Sequence, residues 1–81
     1  MHITVRLFAS HREAAGVAEV VVDLPAGARA GDALAACRRA HPALPSTESG
    51  IAFAINRAFA GPETELADGD EVAVLPAVAG G

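Results

Sequence analysis

The chain closes on Gly80-Gly81, and the group there that can do chemistry is the terminal carboxyl of Gly81. With 8 glycines among 81 residues, two in succession at this place arise from composition about one time in a hundred. Glycine has no Cβ, so a Gly-Gly end can pass through a channel too narrow for other residues and bring its backbone against the walls. Residues 76 to 81 span about 20 Å when extended, and Pro76 with the small Ala77, Val78 and Ala79 keeps such a stalk slim. A terminal carboxylate, of reference pKa about 3.3–3.7, is ionised at neutral pH and is a poor acyl electrophile. It must be activated, for instance by adenylation, before a sulfur or amine can attack it. The competing reading of the same residues is a frayed terminus.

Elsewhere the side chains offer little catalysis. Cys37 is the single cysteine, so an internal disulfide framework and a multi-cysteine zinc site are excluded. It falls on the apolar stripe of a predicted helix and reads as a small hydrophobe, since a reactive thiol needs an exposed electropositive setting. His2, His11 and His41 lack metal-ligand spacing and read as surface residues; no metal site is expected. No glycine-rich phosphate loop, nucleophile elbow or helically spaced carboxylate pair is present. Asp68, Asp70 and Glu71 form an acidic group, either a solvated turn or a handle for a partner's arginines. Arg12 reads as solvated, with a partner carboxylate as the alternative.

Eighty-one residues make one domain, with room for one small core and little for an enclosed active site. A net charge of −4 is the wrong sign for a binder of phosphate backbones, so no nucleic-acid partner is expected. All six basic residues are arginines, which leaves the chain without a side-chain amine to accept an amide-linked modifier. No apolar run approaches a membrane span, and Met-His-Ile-Thr-Val-Arg lacks the apolar stretch of a signal peptide. The expected location is the cytoplasm.

These residues must be held by a scaffold whose elements are legible in the periodicity. Ile3, Val5 and Leu7 alternate with Thr4, Arg6 and Phe8, which predicts a half-buried strand over 2–8. Ser10 with Glu13 fits a capping box for a short helix over 11–15, and Gly16 can supply its left-handed end. Residues 19–24 read as a second strand, stopped by Pro25. The main helix spans about 29 to 41, with Leu34, Cys37 and flanking alanines as its stripe and a poor N-cap in Arg29. After a polar loop over 43–50, Ile51, Phe53 and Ile55 predict a third strand. Asn56-Arg57 reads as a turn, Ala58–Ala60 as a short strand, and Asp68-Gly69 as a turn into the last strand, Glu71–Leu75.

Strand, short helix, strand, helix, strand, short strand, strand is an α+β pattern with one main helix packed on one face of a small mixed sheet. It is the order of a ubiquitin-like β-grasp, with the domain over 1–76 and an extended, flexible Gly-Gly tail over 77–81. If alternation continues, Phe8 and Leu75 point to the face opposite the helix, where an apolar patch suits docking. Phe59 belongs either to that patch or to the edge of the core.

The closing run Asp68-Gly69-Asp70-Glu71-Val72-Ala73-Val74-Leu75-Pro76-Ala77-Val78-Ala79-Gly80-Gly81 resembles that of the small subunit of molybdopterin synthase, a ubiquitin-like sulfur carrier. Val5-Arg6-Leu7-Phe8-Ala9 with Arg12-Glu13 and Gly16 is similar to that family's first strand and short helix. Ala54-Ile55-Asn56 and Leu66 match further along, so the likeness covers nearly the whole chain. The chain departs from the family's usual Pro-Pro-Val-Ser/Thr-Gly-Gly at Ala77 and Ala79, and losing the second proline loosens the tail before docking.

The resemblance implies that Gly81 is adenylated and then thiocarboxylated, and that Gly80 is required for passage into the partner. An E1-like adenylating enzyme would use ATP and Mg, a persulfide sulfurtransferase would supply the sulfur, and the carrier would bind no cofactor of its own. The charged tail would enter the large molybdopterin synthase subunit, in a heterotetramer, and donate sulfur to cyclic pyranopterin monophosphate for molybdenum cofactor biosynthesis. Phe8, Phe59, Leu75, Pro76 and Val78 would contact that partner. The chain is then no enzyme on its own but the sulfur-donating subunit of a sulfurtransferase complex. Alternatives are a carrier for thiamine thiazole, cysteine or tRNA thiolation, or a ubiquitin-like modifier or interaction module.

Overall fold

The computed structural model describes residues 1–44 and 50–75. Within them lie β1 (His2–Leu7), α1 (Ala9–Ala15), β2 (Glu19–Asp23), α2 (Ala30–Ala40), β3 (Ala52–Ile55), β4 (Ala58–Ala60) and β5 (Glu71–Leu75). Pro76, Val78, Gly80, Gly81 and the tail expected over 77–81 lie outside the described residues, as does part of the loop before β3.

Among the described residues the strands form one mixed sheet in the order β2-β1-β5-β3-β4. β1 runs antiparallel to β2 and parallel to β5, with Leu7 beside Val74; β3 is antiparallel to both β5 and β4. The parallel pair needs a long crossover, and α2 lies within it. This is the β-grasp arrangement that the element order predicts. Alternation then assigns every strand residue to one of two faces. Ile3, Val5, Val72 and Val74 are fully buried beneath α2, and Leu7, Val22 and Phe53 nearly so. From the helix side Ala30, Ala33, Leu34 and Cys37 complete the core. The small alanines let the helix lie close to the β-branched strand residues.

The helix ends differ in part from the sequence pattern. α1 begins at Ala9 with Phe8 as its N-cap and no capping side chain, so Ser10 sits inside the helix and does not cap it. Gly16 ends it as expected, at φ 77, with its N–H donating to the Arg12 carbonyl at 2.9 Å. At α2 the side chain of Arg29 caps nothing, but the Asp32 carboxylate accepts the Arg29 backbone N–H at 2.9 Å, which relieves the weak start. His11 corrects the surface reading: it is 1 % exposed. On two turns of helix, positions i, i+3 and i+4 share a face, and Ala14 and Ala15 pack against the core beside it. Cys37 is buried as expected, and that burial pushes its thiol pKa up, partly offset by the Arg38 charge.

Candidate functional site

The face of the sheet away from α2 is where Phe8, Phe59 and Leu75, the residues expected to meet a partner, lie. In the register Arg6 lies beside Ala73, Ala73 beside Ala54, and Ala54 beside Phe59. Ala52 lies beside Leu75 in the next row, and Leu7 beside Val74 brings Phe8 to the level of Leu75. Phe8 and Leu75 are half-buried, and Phe59 is 83 % exposed. Phe59 therefore belongs to the open face and not to the edge of the core. Alanines at 52, 54 and 73 keep the floor low between these larger side chains.

Arg6 stands on this face between the edge strand β2 and the central strand β5. Its guanidinium carbon is 5.7 Å from the centroid of the Phe8 ring. Its Nε is 3.7 Å from Glu19 Oε1, and its Nη1 is 3.8 Å from Glu71 Oε1. Arg6 and Glu19 form a non-hydrogen-bonded cross-strand pair, the kind in which side chains approach most closely. At these distances, and with all three side chains still partly open to solvent, the pairs tether the guanidinium loosely and contribute little to stability. The Nε atom is buried without a hydrogen-bond partner. Nothing in the linear pattern marks this residue, because a polar side chain at an alternating position reads as solvated.

Below the open face, the acidic residues are bound up in the turns. Asp68 Oδ1 accepts the His2 N–H at 2.7 Å, and Asp70 Oδ2 accepts the Ala67 N–H at 2.8 Å. Asp70 Oδ1 accepts from Asn56 Nδ2 at 2.9 Å, and Asn56 Oδ1 in turn accepts the Glu71 N–H at 3.0 Å. Asn56 and Arg57 both have positive φ, 50 and 71, the mark of a tight hairpin turn that asparagine tolerates. The network ties the β3–β4 turn to the start of β5, and so sets the strand that leads to residue 76. Among the described residues no group of histidine, cysteine and carboxylate side chains is placed to hold a metal ion. No helix among them is long and apolar enough to cross a membrane.

The five-stranded mixed sheet with α2 on one face and an open apolar patch beside its last strand is a ubiquitin-like β-grasp, a fold that does not by itself fix a function. Comparison with known proteins narrows this. The ThiS family profile matches residues 5–81, and the chain belongs to that family. It is 45 % identical over 83 residues to the molybdopterin synthase sulfur carrier subunit of Chlamydomonas reinhardtii, covering 100 % of both chains. Among solved structures it is similar to SAMP1, a small archaeal modifier protein of Haloferax volcanii, at 37 % identity and TM-score 0.89 over 100 % of both chains. It also resembles a chain in the complex of subunits 1 and 2 of molybdopterin-converting factor from Helicobacter pylori, at 27 % identity and TM-score 0.64, again over 100 % of both.

Proposed function

We propose that this protein is the sulfur carrier subunit of a molybdopterin synthase, and that the carboxyl of Gly81 bears the sulfur. The observation that carries this reading is the 45 % identity running over the whole of both chains to a sulfur carrier subunit. In the proposed cycle the Gly81 carboxylate attacks the α-phosphorus of ATP on an E1-like adenylating enzyme, releasing pyrophosphate. A persulfide sulfur from a sulfurtransferase displaces AMP, and cleavage of the resulting acyl disulfide by a second thiol leaves the thiocarboxylate. Mg and ATP belong to the activating enzyme. The thiocarboxylate then gives its sulfur to cyclic pyranopterin monophosphate inside the large subunit, with which the carrier forms a heterotetramer in the cytoplasm. Gly80 permits entry, Pro76 and Val78 guide the stalk, and Phe8, Phe59 and Leu75 dock the body.

The fold supports a division of labour. β5 is hydrogen-bonded between β1 and β3, so the last described residue is anchored in the middle of the sheet. The apolar side chains of the open face adjoin it, and a partner that grips them is placed to receive whatever follows residue 75. Catalytic acids and bases would come from the partners, since the open face described here presents one loosely tethered arginine among apolar side chains.

The experiment is intact mass spectrometry of the protein co-produced with the adenylating enzyme and sulfurtransferase of its own genome. The expected result is a mass gain equal to one oxygen replaced by one sulfur, absent when Gly81 is deleted. An unmodified mass under those conditions would sink the reading. The likeness to SAMP1 supports a second reading, a protein modifier. Isopeptide-linked conjugates in lysates, with no thiocarboxylate formed, would decide for it.

A further inference from the structure

The sheet has two edges, and they are not alike. β4 is three residues long and offers little to pair with. β2 is five residues long, and its outer side carries no strand among the described residues. The Leu24 N–H donates to the Met1 carbonyl at 2.8 Å, and the Leu7 N–H to the Ala18 carbonyl at 2.8 Å. In an antiparallel pair hydrogen bonding alternates, so Ala18, Val20, Val22 and Leu24 turn their backbone groups toward β1. Glu19, Val21 and Asp23 turn theirs outward. Three N–H and three C=O groups thus stand along one free edge, with the 65 % exposed Val21 at its centre.

The charges along that edge choose the occupant. In the longest symmetric antiparallel pairing with a second copy, Val21 faces Val21, and Glu19 faces Asp23 at both ends. Like charges directly opposite each other disfavour a cross-strand pair. Arg6 lies 3.7 Å from Glu19 and the terminal amine 3.6 Å from Asp23, but the two carboxylate side chains remain 56 % and 80 % exposed. At these distances the ion pairs are loose, and the exposed oxygens can still meet an incoming cation. At the end of β2 the edge leads to a cleft of about 390 Å³ that is lined by Leu24, Ala28 and Ala35, with Asp32 and Arg39 at its polar side. Such a cleft suits the alternate, apolar side chains of an added strand, which fall on the helix side of the sheet.

We propose that the free edge of β2 is a strand-docking site for an extended, cationic segment of another protein. That segment carries Lys or Arg two residues to either side of a β-branched residue, and Glu19 and Asp23 turn away a second copy of this chain. The site lies on the opposite edge of the sheet from β4 and Phe59, so a bound strand leaves that end of the open face uncovered.

The probe is the blocked heptapeptide Thr-Lys-Val-Val-Val-Arg-Thr, titrated into isotope-labelled full-length protein. The expected result is that amide exchange at Glu19, Val21 and Asp23 slows tenfold or more, and that a peptide with Glu and Asp in place of Lys and Arg has no effect. Equal effects of the two peptides, or shifts confined to Phe8, Phe59 and Leu75, would overturn the proposal. Sedimentation tests the rejection of self: the natural protein should be monomeric, and Glu19→Lys, which turns both repulsive pairs into attractive ones, should dimerise. Asp23→Lys makes the same exchange if the first variant does not fold. A natural dimer, or folded variants that stay monomeric, would refute it.

Discussion

One sheet presents two faces made from neighbouring residues of the same strands, and they obey different rules. Toward α2 the side chains are Ile3, Val5, Leu7, Phe53, Val72 and Val74, all buried and all packed into one cluster. On the other side stand Thr4, Arg6, Ala52, Ala54, Ala73 and Leu75, with Phe59 at the margin. The first set is apolar because folding requires it: burial of each large side chain is worth about 1.5–3 kcal/mol. The second set gains much less from folding. A phenylalanine kept 83 % exposed contributes almost nothing to the stability of the chain that bears it. The difference teaches that folding does not require Phe59 to be apolar, and requires it only in part of Phe8 and Leu75, which is why the proposed docking role falls on them.

That contrast is open to direct attack. The largest effect is expected at Phe53, which is 5 % exposed in the helix-covered face. Phe53→Ala should cost about 3–5 kcal/mol in urea unfolding, a large share of the stability of so small a domain. If it cost as little as a surface change, the distinction between the faces would be lost. Phe59→Ala should leave stability within about 0.5 kcal/mol yet weaken binding to the large subunit tenfold or more, as read by calorimetry. A large fall in melting temperature with binding intact would move Phe59 into the core.

Directly after Phe8, Ala9 turns the chain out of β1 into α1 with φ 47. A non-glycine residue in this region is strained by about 1–2 kcal/mol. Ala9→Gly should therefore raise the melting temperature, and about 1 kcal/mol corresponds to roughly 4–8 °C in a domain of this size. A lowered melting temperature would show that the turn carries no strain.

The smallest effect is a pH dependence confined to the covered side. Burial raises the Cys37 thiol above its ordinary value of 9.0. An acid whose folded pKa is raised stays protonated in the native state while the unfolded chain ionises. Its contribution is therefore intact below about pH 9 and is lost as the pH climbs beyond that. Melting temperature should fall more steeply above about pH 9 in the natural protein than in Cys37→Ala. Parallel curves would mean that the thiol ionises equally in both states.

Much of this molecule is written in short-range chemistry. Alternation over residues 2–8 and 71–75, the glycine after α1, the Asn56-Arg57 turn and the alanine-rich helix each follow from local preferences that the fold then satisfies. The Gly-Gly end and the run before it carried the family resemblance, because they are contiguous. What tertiary structure decided are relations between distant residues. Ser10 looked like a cap, but α1 starts earlier and leaves that hydroxyl inside the helix. His11 looked exposed until two turns of helix were laid on the core with Ala14 and Ala15. Arg6 acquired its acidic neighbours only when the sheet brought in Glu19 and Glu71, from 13 and 65 positions away in the chain. Phe59 could be placed only by the register that sets it beside Ala54. Periodicity says that a strand has two sides; which side is covered, and what stands next to what across it, depends on pairings that no single segment contains.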